Sequence, residues 1–534
     1  MIQFAELYHA IDATTKTNEK LEALASYFAT ATPADAAWAT YFLAGNKLKQ
    51  LVPTKLLRIW AAEEANIPHW LLDESYHAVG DLAETLSLVV PPGESVDEMS
   101  LTHWIEQRLI PLRSTDEAAQ HEAITTIWRQ SPSNTRLVIM KLITGAFRVG
   151  VSKRLVTRAI AAQSGISADV VSHRLMGKWK PTAQFYQRLV DPDVHDTVAS
   201  QPYPFCLAHP IDIEQGPDSL GSVEDYIAEW KWDGIRGQVI RRSGQSFIWS
   251  RGEELMENRW PEIELAADAL PEGTVLDGEI LATLPTGEVL PFAHLQRRIN
   301  RKTTGKKLLA EVPVVFQAFD LLEHAGQDIR ALPLVERRAR LEALQANIEH
   351  PHLQVTRLVL GESWEDWARV RDTSRQMNAE GLMLKRKDSR YDVGRVRGTW
   401  WKWKVAPYSI DAVLIYAQKG HGKRASLYTD YTFGLWDGDN LVPVAKAYSG
   451  LDDSEIQKVD RFIRQNTKES FGPVRSVAPT LVMEIAFEGL QRSTRHKSGI
   501  ATRFPRIARW RHDKKPVDAN TLQELLALLP PETA

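Results

Sequence analysis

The hydrophobic periodicity of this chain changes once, and that change limits the folds open to it. Through residues 1 to about 190, apolar side chains recur at helical spacing, as in Leu21, Leu24, Ala25 and Phe28. Pro33, Pro53 and Pro132 fall where helices would start or stop, and Ser152 and Ser167 stand where N-caps would be. No fixed-period repeat is present, and the spacing predicts an all-α region of many short helices. The polar, Pro-bearing stretch 191–204 then reads as a linker.

Beyond the linker the apolar positions alternate. Strands are expected at 238–241, 246–250, 275–281 and 314–322, with helices near 334–346 and 364–378, which makes the middle of the chain α+β. From 408 onward, short strands are expected at 411–416, 431–436, 441–448 and 481–487, with one helix at 453–465. Several strands and one helix in about 125 residues fit a small Greek-key β-barrel such as an OB-fold. The expected domains are therefore 1–200, 205–405 and 407–534.

Several function classes are excluded at this level. Cys206 is the only cysteine, so neither a disulfide framework nor a multi-cysteine zinc site can form within the chain. No apolar run is long enough to span a bilayer, and the start MIQFAELYHAID has neither a basic opening nor an apolar signal core. A cytosolic protein without membrane contact is expected. The formal net charge is −3, but the basic residues cluster. Residues 491–515 hold nine Lys or Arg and one acid, Asp513, and a second group comprises Arg297, Arg298, Arg301, Lys302, Lys306 and Lys307. Each run alone reads as a solvated face before it reads as a nucleic-acid surface. The 17 Trp residues read mostly as core and helix-packing residues.

The sharpest local signal is EWKWDGIR at 229–236, a Lys-x-Asp-Gly with an arginine two residues past the glycine. A lysine is a nucleophile only when deprotonated, and its reference pKa is about 10.4, so a site must lower it with neighbouring cations or a metal. By itself Lys231 would pass for a surface lysine beside a turn at Asp233 and Gly234. Five further motifs follow in order: SRGEE from Ser250, VLDGEI at 275–280, FQAFDLL at 316–322, EGLMLKR at 380–386 and WKWK at 401–404.

Taken in that order, these motifs resemble those of the covalent nucleotidyltransferases, which comprise DNA ligases, RNA ligases and mRNA-capping enzymes. The resemblance implies that Lys231 is the catalytic nucleophile and that ATP is the cofactor. It implies that Glu229 reads the adenine edge and that Phe319 stacks on the base. Glu279 is expected at the ribose and Glu380 near a catalytic metal. Arg236 and Arg251 are expected on AMP and the nick 5′-phosphate, Arg397 near the nucleotide, and Lys402 and Lys404 against the α-phosphate. Lys402 and Lys404 would also depress the Lys231 pKa by like-charge repulsion. Asp233, Glu279 and Glu380 are hard oxygen donors suited to Mg²⁺ or Mn²⁺.

The C-terminal run RFPRIARWRHDKK at 503–515 resembles the last motif of ATP-dependent DNA ligases, which orients the pyrophosphate; Arg511, Asp513 and Lys514 are the matching residues. The Gly-rich basic loop KGHGKR at 419–424 is a candidate for DNA phosphate contact. Residues 141–160 resemble the glycine turn and capped helix of the DNA-binding domain of large DNA ligases, with Arg148 and Lys153 as candidate DNA contacts. The bland reading, helix packing, is the better one for Val149, Leu155 and Ile160. The fold implied is a helical DNA-binding domain, a nucleotidyltransferase (ATP-grasp-like) core and an OB-fold. The function implied is an ATP-dependent DNA ligase that seals 3′-OH/5′-phosphate nicks in duplex DNA as a monomer, through lysyl-AMP and an adenylated 5′-phosphate. An NAD-dependent ligase would need a cysteine zinc finger. The alternatives are an RNA ligase, another polynucleotide nucleotidyltransferase, or a nick-binding protein without catalysis.

Overall fold

The computed structural model describes residues 1–93, 99–145, 147, 149–193, 199–212, 216–256, 258–299, 301, 304–348, 350–420 and 424–529. The chain forms two compact units. One comprises Met1–Ala159, Pro181–Ala183 and Pro407–Ala534, the other Ile160–Lys180 and Gln184–Ala406. Among the described residues, no helix is long and apolar enough to cross a membrane.

The described residues from Ile2 to Leu189 form a succession of helices with no strand, as the periodicity predicts through about residue 190. Pro33 opens the helix Pro33–Leu43, and Pro53 and Pro132 immediately precede Thr54–Glu64 and Ser133–Thr144. Proline suits these positions because the first helical N–H groups have no intrahelical partner. Ser152 Oγ accepts the Leu155 N–H at 3.3 Å, and Ser167 caps Ala168–Arg174 through the Val170 N–H. Val149, Leu155 and Ile160 are buried, the packing role expected of them.

The second unit is built on two antiparallel-dominated sheets. One runs in the order Leu358–Val359, Tyr226–Trp232, Ala379–Arg386, Trp400–Lys404, His209–Pro210. The other runs Gln245–Ser250, Ile235–Arg242, Thr274–Ala282, Val314–His324, Gln327–Asp328, with Leu353–Val355 parallel to Val314–His324. A core of Trp260, Ile263, Leu276, Ile280, Phe316 and Leu321 fills the second sheet's inner face. The four expected strands and the helix Leu334–Ala346 are present. The helix expected at 364–378 ends earlier: Trp364–Asp372 is followed by a 3₁₀ turn, Ser374–Met377, and Asn378 is left-handed at φ 53°.

Residues 407–534 are β-rich and curled. Tyr408–Lys419 pairs with Tyr428–Asp437 along one edge, and with Val482–Phe487 and then Val474–Val477 along the other. Register shifts between Leu414 and Tyr416 and between Gln418 and Lys419 bend this long strand, which lets the sheet curl around Leu414, Phe433, Met483 and Ile485. The helix Asp453–Asn466 packs Val459 and Ile463 into the same core. This is the β-rich domain expected of an OB-fold. The strands Thr467–Phe471, Val474–Val477, Ile500–Arg503 and Arg506–Trp510 lie in segments too charged to read as strands from alternation.

Candidate active site

The sequences EWKW and WKWK each alternate Trp with a charged residue, and on a pleated strand that alternation separates two faces. Trp230, Leu382, Leu384, Trp401 and Trp403 pack together on one face of the first sheet. Glu229, Lys231, Lys402 and Lys404 therefore project from the other. The pairing Met383↔Glu229 and Met383↔Lys402 brings these rows together across three strands.

Simple alternation would put Glu380 on the apolar face with Leu382. A bulge prevents this. Ala379 pairs with Trp232 and Leu382 with Trp230, so Glu380 and Gly381 together oppose Lys231. Gly381 has φ +144°, and a Cβ there would lie 2.2 Å from the Trp403 carbonyl oxygen, so only glycine allows the bulge. Glu380 Oε2 then lies 2.5 Å from Lys231 Nζ and 3.2 Å from Lys404 Nζ. Burial raises the Glu380 pKa, but the charges of Lys231 and Lys404 outweigh it and hold the carboxyl below its usual range. Lys402 is held low, first by burial and then by Arg395, Lys404 and Lys231.

The second sheet contributes Glu279, opposite Arg236 in the register. Burial pushes the Glu279 carboxyl up to about 8, although Lys231, Arg236 and Arg251 pull the other way. Asp233 and Gly234 form the tight link between Tyr226–Trp232 and Ile235–Arg242. A Cβ on Gly234 would lie 2.4 Å from the Ile280 carbonyl oxygen and 2.8 Å from Glu279 Cγ. The glycine of the lysine motif thus lets the turn close onto the glutamate strand. Arg251 is exposed, just past Gln245–Ser250.

Two expected nucleotide contacts are committed within the protein. The Glu229 carboxylate is buried and held by Lys385 at 2.6 Å and Arg338 at 2.9 Å, so its side chain is occupied. Arg236 makes a two-pronged pair with the buried Asp277, at 2.7 and 3.2 Å, donates to the Cys206 carbonyl at 2.7 Å, and packs near the Phe205, Phe319 and Trp400 rings. Tyr391 Oη donates to the same carboxylate at 2.6 Å. In this structure the Arg236 guanidinium is thus paired within the protein.

Sequence reasoning missed Lys385. Its Nζ lies 4.1 Å from the Phe319 ring centroid and 4.3 Å from that of Trp400, which ties the aromatic candidate to the Glu229 ion pair. Strand alternation from Glu229 across Met383 would have placed Lys385 on this face.

Among the described residues, no three His, Cys, Asp or Glu side chains are grouped to hold a metal ion. Asp233, Glu279 and Glu380 therefore do not form by themselves a group of three around one metal position. Arg397 is exposed, in the turn between Gly394–Arg395 and Trp400–Lys404, where its charge bears on His209. Lys153 opens the helix Lys153–Ser164. Arg148, Lys302 and residues 421–423 of the Gly-rich loop lie outside the described residues.

In the β-rich domain, Arg511 Nη1 lies 2.9 Å from both oxygens of Asp411, and Lys514 Nζ lies 2.6 Å from Asp411 Oδ2. The other edge of Arg511 meets Asp513, at 2.7 and 2.9 Å. Asp411 was not foreseen, because its strand lies about a hundred residues upstream of the motif it serves.

The family model described as "ATP dependent DNA ligase domain" matches residues 207–404. "DNA ligase N terminus" matches 1–161 and "ATP dependent DNA ligase C terminal region" matches 424–514. A probable DNA ligase of Koribacter versatilis is 32% identical over 558 residues, spanning 97% of this chain and 95% of that protein. A DNA ligase of Thermococcus fumicolans is 25% identical, over 89% of this chain and 88% of its own. The solved structure Pmar-Lig_PreS3 shares the fold, with a TM-score of 0.61 at 15% identity over 95% of this chain and 99% of its own.

Proposed function

This chain belongs to the ATP-dependent DNA ligase family, and from that premise we propose that Lys231 is the nucleophile that carries AMP. The enzyme joins DNA using ATP through an adenylate intermediate. The observation that supports Lys231 is its place on the charged face of the first sheet, 2.5 Å from Glu380 and beside Lys402 and Lys404.

Attack of Nζ on the α-phosphorus forms the N–P bond and breaks the bond to the bridging oxygen. Pyrophosphate leaves with that electron pair, and the Nζ proton passes to solvent. AMP then moves to the 5′-phosphate of the nick, and the 3′-OH displaces it. Lys402, held low in pKa, and Lys404 are suited to the α-phosphate, where charge develops. Phe319, packed against Lys385 and Trp400, offers the ring for the adenine, and Arg251 is the exposed arginine placed for phosphate.

A divalent cation fits this donor set as a partner of the nucleotide. Mg²⁺ keeps several waters and binds through one or two carboxylates plus substrate phosphates. Glu279 and Glu380 are two such carboxylates, and since burial is what raises the Glu279 pKa, a bound cation would favour its charged form. When bound, the metal would neutralise phosphate charge.

Residues 1–200 are read as the DNA-binding domain, 205–405 as the adenylation domain and 407–534 as the OB-fold. The enzyme is read as a cytosolic monomer on nicked duplex DNA, with Arg511 and Lys514 on the pyrophosphate and Lys153 on DNA phosphate. Incubation with α-labelled ATP and magnesium, followed by peptide mapping, tests the centre of this reading. The label is expected on Lys231, and label on any other residue overturns the assignment.

A further inference from the structure

We propose that Asp411, on the first strand of the β-rich domain, is the positioning residue that fixes Arg511 and Lys514 for the ATP reaction. The inference rests on the assignment of those two cations to the pyrophosphate.

One carboxylate gathers both cations. Arg511 Nη1 reaches both Asp411 oxygens at 2.9 Å and Lys514 Nζ reaches Oδ2 at 2.6 Å. The Asp411 side chain is only 9% exposed. Its backbone is pinned as well: its N–H donates to Asn520 Oδ1 at 2.8 Å and its carbonyl accepts the Asn520 N–H at 2.9 Å. The strand pairs Asp411 with Glu484 in the sheet. Asp411 is therefore a fixed point, and the two cations are placed by it.

The opposite edge of Arg511 behaves differently. Nε and Nη2 meet Asp513, whose side chain is 66% exposed. Exposed pairs of this kind add little stability and exchange readily with solvent or another anion. A phosphate has the oxygen spacing to take the Nε/Nη2 fork in place of Asp513. Asp411 can hold Nη1 and Lys514 throughout that exchange. Two cations three residues apart would otherwise repel and spread, and electrostatic help at a leaving group depends on donors held in place beforehand.

Loss of the Asp411 charge has two separable effects. It leaves more uncompensated positive charge, which favours ground-state binding of ATP. It also releases the two cations from their fixed geometry, which slows departure of pyrophosphate. The signature of a positioning role is thus a slower reaction at saturating ATP without a weaker KM. General damage to the domain would raise KM and slow every step.

The test compares wild type, Asp411→Asn and Arg511→Ala in full-length protein. The readouts are the single-turnover rate of label uptake at saturating ATP, its KM, and sealing of a pre-adenylated nick. For Asp411→Asn, label uptake is expected to slow at least fivefold with KM for ATP unchanged or lower, and sealing to stay within twofold. A smaller slowing, a raised KM, or an equal loss in sealing overturns the positioning role. If Asp411→Asn does not fold, Asp411→Glu carries the same test, since a shift of about 1 Å in catalytic groups is enough to slow a reaction severely. Arg511→Ala separates the two layers. If its label uptake matches wild type, the pyrophosphate assignment itself fails. If Arg511→Ala is slow and Asp411→Asn is not, only the positioning role fails.

Discussion

The Lys231 ammonium and the Glu380 carboxylate lie 2.5 Å apart because a bulge turns Glu380 onto the lysine face of its sheet. Each residue therefore constrains how the other can be replaced. Lys231→Ala is expected to abolish label uptake from α-labelled ATP. Lys231→Arg keeps the ion pair but stays protonated, so it is expected to fold normally and take up no label. Label on the Lys231→Arg protein would remove Lys231 from the mechanism.

Glu380→Ala removes the carboxylate that Lys231 and Lys404 share. Destabilisation of about 1–3 kcal/mol is expected, the usual scale for a polar group that loses its hydrogen-bond partner. Metal-stimulated label uptake is expected to fall by roughly 10²–10³-fold, while ATP binding is largely retained. Equilibrium binding of ATP and titration of the rate with magnesium measure these separately. A wild-type rate and metal response would make Glu380 purely structural.

Gly234→Ala is expected to impair catalysis through shape. Its Cβ would lie 2.4 Å from the Ile280 carbonyl oxygen and 2.8 Å from Glu279 Cγ, and backbone cannot yield as a flexible side chain does. A loss of about 1–3 kcal/mol in stability is expected from this overpacking. Label uptake should fall further than the unfolded fraction explains. Denaturant melts run beside activity assays would show it, and activity that tracks folded fraction alone would refute the coupling of this turn to Glu279.

The motifs named the residues that the fold brings together around Lys231, and the alternation of Trp with charged residues marked the two faces of their sheet. What the sequence could not show is which charges are already spent. Arg236 and Glu229 sit in the motif positions that suggest ligand contact, yet each is neutralised by a partner far along the chain: Asp277 for Arg236, and Lys385 with Arg338 for Glu229. Such pairings arise from the meeting of strands, and local spacing does not encode them. The bulge at Glu380 is similar, since its only local sign is the following glycine. In the β-rich domain, the strand Arg506–Trp510 hides inside a basic run because its outer face is charged and one buried residue, Ile507, anchors it.

His173 offers a pH-dependent test of the second unit. Its ring stacks on Tyr203 at 5.0 Å and 14°, and burial, with Arg330 and Arg242 nearby, lowers its pKa to about 4. A histidine depressed when folded is neutral there while the unfolded chain still binds a proton. Its contribution is therefore complete above about pH 6.5 and is lost as pH falls toward 4. The loss is on the order of 3 kcal/mol, at about 1.36 kcal/mol per pH unit between 6.5 and 4. His173→Phe keeps a ring against Tyr203 and should remove this share of the acid sensitivity. Parallel pH–stability curves for the two proteins would refute the assignment.

The last prediction concerns where the helical region can be cut. The contacts that bind the second unit begin well before the linker. His173 stacks on Tyr203, Gly177 lies against the Trp249 ring, and the Trp249 indole donates to the Ser200 carbonyl. Ile160–Lys180 belongs to the same compact unit as the strands that carry Lys231, Glu279 and Glu380. Removing residues 1–151 spares these contacts and keeps Ser152 as the cap of Lys153–Ser164. That protein is expected to take up label from ATP at close to the full-length rate and to seal nicks poorly. Its DNA affinity should also depend less steeply on salt, because fewer phosphates would be neutralised. Removing residues 1–200 takes away the His173 and Gly177 contacts and exposes Tyr203 and Trp249. That protein is expected to melt at lower temperature and to lose label uptake in proportion. Label uptake, nick sealing and thermal melts on both truncations decide the matter. If the shorter truncation seals nicks at the full-length rate, residues 1–151 are not a DNA clamp. If the longer one melts with the shorter, the helical segment ahead of the linker contributes nothing to the catalytic unit.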